Sequence, residues 1–265
     1  MAEEHRAADL EVSNLGFSYG NQAVLKDISF TAHAGDLIAL VGPNGVGKST
    51  MFKCILGFLK GHQGTIRIDG RLTGELSAKE TARLVAYIPQ SSAQVFDYTV
   101  LELVLMGLAS QLSLLATPSK TEEDRALAVL DELSIAHLAH RGCGQISGGE
   151  YQLALLARAL LQQARILIMD EPTANLDYGN QYRVMERIGN LTKRDFIVML
   201  AAHDPNQVLQ HATRALIIKE GSLLADGAPA DVMTEELLSS IYGIEVRRLM
   251  LKDDEREYQV CVATN

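Results

Sequence analysis

The sequence predicts an α/β protein with a parallel-sheet core, a small antiparallel β-sheet before it and a block of helices inserted within it. Three observations carry this. The compact apolar run Leu37–Val41 ends in a glycine-rich turn and leads into helical spacing, a strand–loop–helix unit. Between about residues 94 and 163 apolar residues recur at helical spacings, with no convincing strand among them. From Arg165 onward strand-like and helix-like runs alternate, as they do in a parallel sheet.

Taken in order, Leu10–Phe17 and Asp27–Ala32 alternate apolar and polar residues around the turn Ser18-Tyr19-Gly20-Asn21, and read as antiparallel strands. Lys48–Leu59 sets Met51, Ile55 and Leu59 on one helical face. Gly64–Asp69 and Val85–Pro89 read as strands, the second closed by its proline. Thr99–Gly107, Thr121–Leu133 and Glu150–Leu161 form the helical block. Thr121 followed by Glu122, Glu123 and Asp124 looks like a cap with acids in the first turn. Arg165–Met169 is a buried strand, Asp177–Leu191 a helix, and Phe196–Ala201 and Ala215–Ile218 further strands. The tail, with Glu245–Met250 and Tyr258–Ala263, reads as an appended hairpin.

Composition narrows the function. A chain of 265 residues with net charge −9 lacks the surplus Lys and Arg that non-specific nucleic-acid binding needs, so no nucleic-acid partner is expected. The three cysteines, Cys54, Cys143 and Cys261, match no metal spacing and read as reduced residues of a cytosolic protein. The acidic start MAEEHRAADLE is neither a signal nor a transit peptide. Val262 stands where a prenylated cysteine would be. The apolar stretch Val100–Ala116 is shorter than the ~20 residues of a membrane span. Any membrane attachment would come through another protein.

Two motifs bind anions. Gly42-Pro43-Asn44-Gly45-Val46-Gly47-Lys48-Ser49, continued by Thr50, fits the phosphate-loop pattern. Its glycines let backbone N–H groups wrap the phosphates, Lys48 reaches the β- and γ-phosphates, and the Ser49 hydroxyl ligates Mg²⁺. Ile146-Ser147-Gly148-Gly149-Glu150 opens a helix and offers a second cradle of backbone N–H groups, a hydroxyl and a helix dipole. Two cradles a hundred residues apart are hard to fit around one nucleotide within one chain. They make sense if the second serves the nucleotide of another copy. Asp170 and Glu171 end a buried strand, with Pro172 fixing the turn beyond. An acidic pair at a strand end is usually a cap or a solvated turn. Beside a phosphate loop, Asp170 suits the Mg²⁺ shell and Glu171 suits polarising the attacking water.

The order of phosphate loop, Ser147-Gly148-Gly149-Glu150, Asp170-Glu171, Asn175-Leu176-Asp177 and His203 resembles the ATP-binding cassette (ABC) proteins over about Leu10–Gly243. The resemblance implies a P-loop NTPase (RecA-like) core in a single ABC ATPase domain. Residues 1–93 and 164–265 would form the core and antiparallel β-subdomain, and 94–163 the helical signature subdomain. It implies that Tyr19 stacks on adenine, although a lone Tyr in a turn is more often surface decoration. Gln90 would be the glutamine that touches Mg²⁺ and water and senses the membrane partner. Asp177 would work across the dimer, against the plainer reading of a helix N-cap. His203 would contact the γ-phosphate, where an isolated strand-end His is usually structural. Ile146 replaces the usual Leu, Glu150 the commoner Gln, and Tyr151 a frequently charged residue.

Expected from this resemblance are ATP and Mg²⁺ as ligands and a head-to-tail homodimer. Transmembrane permease subunits, a substrate-binding protein acting on the permease, and a peripheral place on the cytoplasmic face of the membrane are expected too. Leu76–Gln90, Phe96–Leu108 and Asp226–Gly243 look like the ATPase subunits of importers for iron chelates, haem, cobalamin and some oxyanions. The residue 90–98 loop and the helical block would receive a helix of the membrane subunit. The competing readings are a soluble ABC-type ATPase of DNA repair or translation, a nucleotide kinase, and a nucleotide-gated assembly module. Against the first, DNA-repair members carry a long coiled coil between phosphate loop and signature, where here only residues 49–146 intervene, and translation members carry two cassettes.

Overall fold

The computed structural model describes residues 9–90, 98–113, 117–252 and 257–264. In chain order its elements are β1 (Asp9–Tyr19), β2 (Gln22–His33), β3 (Leu37–Val41), α1 (Lys48–Ile55), β4 (Gln63–Ile68), β5 (Arg71–Leu72), α2 (Ala78–Leu84) and β6 (Val85–Ile88). Then come α3 (Val100–Leu105), α4 (Lys120–Glu132), α5 (Gly148–Leu161), β7 (Ile166–Asp170), α6 (Tyr178–Thr192), β8 (Ile197–Ala202), α7 (Pro205–His211) and β9 (Arg214–Lys219). The chain closes with β10 (Ser222–Gly227), α8 (Pro229–Val232), α9 (Glu235–Tyr242), β11 (Glu245–Lys252) and β12 (Glu257–Thr264).

The central sheet runs β10-β9-β3-β8-β7-β6. Its five strands from β9 to β6 are parallel, and β10 folds back antiparallel on β9. Because β3, β7 and β8 are covered on both faces, they read as unbroken apolar runs, yet their side chains still alternate between two cores. Ile38, Leu40, Ile168 and Met199 face a core shared with α1 and the antiparallel sheet β2-β1-β4-β5. Ala39, Val41, Leu167 and Leu200 face a second core shared with the inserted helices, α6 and the C-terminal elements. The C-terminal ends of β3, β8 and β7 lie side by side. Ligands bind at that edge of an open parallel sheet.

Several boundaries differ from the sequence expectation. β1 runs on to Tyr19 and β2 starts at Gln22, so only Gly20 and Asn21 make the turn, with Gly20 at φ 56°. The cap of α4 is Ser119, not Thr121. Glu122 lies three residues after Ser119 and its carboxylate reaches back to the Ser119 N–H at 2.5 Å, a reach the shorter Asp124 does not give Thr121. The helix expected over Thr99–Gly107 tightens into a 3₁₀ turn at Met106–Ser110. There Gly107 lies against α5 so closely that a Cβ would come within 2.3 Å of the Arg158 carbonyl. The expected hairpin is present as β11 paired antiparallel with β12. Among the described residues no helix is long and apolar enough to cross a membrane.

Candidate active site

The phosphate loop leaves β3 where only glycine fits. A Cβ on Gly42 would lie 2.4 Å from the Ile218 carbonyl of neighbouring β9. Gly45 and Gly47 take φ of 78° and 112°, left-handed values that favour glycine. Gly47 precedes α1 without a side-chain cap, so the first N–H groups of that helix, from Lys48 onward, face outward as donors. Asn44, Gly45, Gly47, Lys48, Ser49, Thr50 and Glu171 enclose a cavity of about 130 Å³.

Lys48 is buried, and its amine donates to the carbonyls of Gly42 at 2.6 Å and Pro43 at 3.1 Å. Burial holds its ammonium below the usual lysine value, an effect that the charges of Glu171 and Asp170 oppose. Asp170, the last residue of β7, is also buried, and its Oδ1 has no hydrogen-bond partner. A buried carboxylate oxygen left bare is costly unless something else occupies it. A hard divalent cation suits this donor chemistry, one bare carboxylate oxygen on Asp170 and a hydroxyl, that of Ser49, among the residues lining the cavity.

Glu171 follows with φ 53°, a left-handed value uncommon for a residue with a Cβ. Its two carboxylate oxygens are divided between two partners. Gln90 Nε2 donates to Oε2, and the His203 ring, through Nε2, meets Oε1. Three residues from three separate loops thus converge at the sheet edge. Residues 91–97 lie outside the described residues, and with them most of the loop expected to receive a membrane subunit and the division expected at 93/94.

The remaining predicted residues do not line this cavity. Ser147 caps α5, its N–H and hydroxyl donating to the Glu150 carboxylate at 2.7 and 2.8 Å while its Oγ accepts the Glu150 N–H at 3.3 Å. The Ser147 backbone N–H, and then its hydroxyl, hold the Glu150 carboxyl below its usual range. Gly149 abuts α6, where an added Cβ would lie 2.5 Å from Asn180, and Gly148 lies close to Leu176. Asp177 caps α6 by accepting the Asn180 N–H at 2.9 Å, and its other oxygen takes Asn180 Nδ2 at 2.7 Å. Tyr19, half exposed at the end of β1, stands edge-on to Phe17 with ring centroids 5.0 Å apart.

Sequence reading singles out none of the side chains that brace the site from behind. Thr173 donates to Gln207 at 2.9 Å, Gln207 to Gln181 at 2.8 Å, and Gln181 to the Leu176 carbonyl at 2.9 Å. This chain ties the turn after Glu171 to α7 and α6. A signal did exist. Asp204-Pro205 after the histidine is a cap followed by a first-turn proline, and it places Gln207 on the helix that starts there.

The fold and site define a P-loop nucleotide-hydrolysing domain carrying an inserted helical subdomain. The family described as ABC transporter matches residues 25–174. An ABC transporter ATP-binding protein of Haemophilus influenzae, itself uncharacterized, is 40% identical over 88% of this chain and 89% of its own length. The hemin import ATP-binding protein HmuV of Rhodococcus jostii is 34% identical over 89% of this chain and 80% of its own. A solved metal-chelate type ABC transporter in an inward-facing conformation superposes with a TM-score of 0.87 at 29% identity, covering 97% of this chain and 98% of that one. The chain belongs to the ABC transporter family and is an ATP-binding, ATP-hydrolysing subunit that powers transport through permease subunits. These relatives do not favour a soluble role in DNA repair or translation.

Proposed function

We propose that this chain drives import of an iron chelate, haem, cobalamin or a related substrate, hydrolysing MgATP at two composite sites of a head-to-tail homodimer on the cytoplasmic face of the membrane. The names of the relatives above, a hemin importer and a metal-chelate transporter, support the substrate class. A substrate-binding protein would deliver cargo to the permease. The core (1–93 and 164–265) would hold nucleotide, and the helical subdomain (94–163) would carry the signature and meet the membrane subunits.

One observation carries the shared-site reading. The phosphate cavity is lined from its own chain by the P-loop and Glu171, while the Ser147–Glu150 cradle stands apart at the start of α5. A second copy facing head-to-tail would bring that cradle to the open side of the cavity. Ser147 would then exchange its hydrogen bond to Glu150 for one to the γ-phosphate, joined by the N–H groups of Gly148 and Gly149. Asp177 would sit at the same seam, and Tyr19 would stack on adenine.

Within the site, Gly42–Thr50 would wrap the phosphates. Lys48 would leave its loop carbonyls for the β- and γ-oxygens, where it stabilises charge in the transition state. Ser49, Gln90 and Asp170 would hold Mg²⁺, which when bound neutralises phosphate charge. Glu171, oriented by Gln90 and His203, would accept the proton of the attacking water. Loss of the γ-phosphate removes what bridges the two copies, and they separate.

Complementation tests this. Ser147→Arg should abolish hydrolysis but keep nucleotide binding, and Lys48→Ala should lose binding. Mixed, the two chains should recover one working composite site, read as single-turnover phosphate release. No recovery in a mixture shown to form heterodimers would overturn sharing in trans.

A further inference from the structure

The C-terminal hairpin packs against the segment that carries His203. Asp204 caps α7 and Pro205 starts it, so Asn206 lies three residues beyond the histidine on a rigid turn. The Asn206 side chain grips β12 at two points: Nδ2 donates to the Cys261 carbonyl at 3.2 Å, and Oδ1 accepts the Cys261 N–H at 2.7 Å. This two-point pairing copies the hydrogen bonds of a neighbouring strand and fixes both the amide orientation and the register of β12 against α7. From the other side, Tyr242 at the end of α9 donates its hydroxyl to the His203 carbonyl at 3.2 Å. Burial pushes its phenol up to about 12, so it stays a donor at working pH.

The hairpin is anchored independently of these contacts. The Arg248 guanidinium closes the end of α8 by donating to the carbonyls of Ala230 at 2.8 Å and Met233 at 3.2 Å. The Arg248 N–H donates to Glu235 at 2.6 Å, and the Val246 N–H to Ser239 Oγ at 2.9 Å. Val246 and Cys261 are buried in the seam. The hairpin is therefore fixed to α8 and α9. Among the described residues it is tied toward the nucleotide edge by Asn206 of α7, while Tyr242 of α9, the helix that carries it, bonds the His203 carbonyl.

We propose that Asn206 and Tyr242 are positioning residues for His203, through which the C-terminal hairpin sets how the histidine ring meets the Glu171 carboxylate. This rests on the catalytic reading of Glu171 and His203 given above. Movement of the hairpin changes turnover by moving the histidine and leaves in place the phosphate-loop helix α1, which packs in the core on the opposite face of the central sheet. An event that shifts the tail, such as docking of the transporter's own subunits, would then set the hydrolysis rate.

The test uses the full chain with histidine ring labelling, the His203 signal being assigned by its loss in His203→Ala. Asn206→Ala should displace the His203 ring signal and lower kcat about tenfold, the value of one hydrogen bond's energy. The KM for MgATP should stay within twofold. Tyr242→Phe, which keeps the packed ring, should do the same to a smaller extent and serves in place of Asn206→Ala if that variant is unstable. An unmoved ring signal, with only a lower Tm, would overturn the proposal. So would a displaced signal with unchanged kcat while His203→Ala is inactive. If the signal moves but neither variant nor His203→Ala slows turnover, the clamp stands and the catalytic reading of His203 fails.

Discussion

The carboxylate of Glu171, one residue past β7, is bonded to the ring of His203, one residue past neighbouring β8. Parallel pairing sets the ends of β7 and β8 side by side, with Asp170 opposite Ala201. Glu171 has a left-handed backbone, and its carboxylate meets Gln90 and His203, which follow β6 and β8 on either side of β7. Glutamine can keep this geometry while losing the charge. Glu171→Gln should retain ATP affinity, lower kcat by about 10²–10⁴, the range for loss of a positioned general base, and accumulate an ATP-bound dimer visible by size exclusion. Phosphate release within threefold of wild type would remove Glu171 from the role of base.

Gly149 is constrained by its neighbour more than by its backbone. An added Cβ would meet Asn180 at 2.5 Å, and Asn180 is itself held by Asp177 and by Arg183 at 3.0 Å. Gly149→Ala should therefore force α5 and α6 apart and destabilise the fold by about 1–3 kcal/mol, read in urea unfolding. Asn180→Ala in the same chain should recover part of the loss. Equal midpoints for wild type and Gly149→Ala would show that the two helices are free to shift.

The Ser147–Glu150 cap has a pH signature. Its hydrogen bonds hold the Glu150 carboxyl below the ordinary glutamate value of 4.5. The folded value being the lower one, the stabilisation is fully present above pH 4.5 and is lost as pH falls through the folded value. Glu150→Gln keeps the shape but not the charge. The Tm difference between wild type and variant should be positive at neutral pH and shrink steadily below pH 4.5. Glu80, Glu102 and Glu122 sit in similar caps and are shifted in the same direction, so only the difference between the two chains isolates Glu150. A difference that stays constant across this range would mean that the carboxylate charge contributes nothing to the cap.

The parts legible in the sequence are those whose chemistry is local. The phosphate loop needs glycine at a fixed spacing, and β3 and the Ile166–Met169 part of β7 are unbroken apolar runs because both faces are covered. The unread elements had weak or crowded signals. Helix α2 has only seven residues and runs straight into β6, leaving no turn to mark its end. Strand β10 carries only partly buried and exposed positions. The Ser119 cap was displaced by two residues because Thr121 stood before a longer acidic run. What no local pattern could give is pairing across distance. Asn206 and Cys261 are 55 residues apart, and neither residue type announces the contact.

The Lys48 amine is bonded to two carbonyls of its own loop, and under the proposed mechanism it would exchange them for phosphate oxygens of the nucleotide. The buried ammonium rests on two loop carbonyls, and burial holds its pKa below the ordinary lysine value of 10.5. The unfolded chain therefore binds more protons in the window between that lowered value and 10.5, and stability rises with pH there. Lys48→Met fills similar space without the charge, so it should lack this alkaline rise, and its Tm without nucleotide at neutral pH should equal or exceed that of wild type. Its response to nucleotide should vanish. A ligand at a hundred times its Kd stabilises by about 2.7 kcal/mol, which for a chain of this size is a Tm rise of roughly 5–10 °C. Wild type should show that rise with MgATP and Lys48→Met should show none. A nucleotide-dependent shift in the variant as large as in wild type would mean that the backbone cradle holds the phosphates without the lysine.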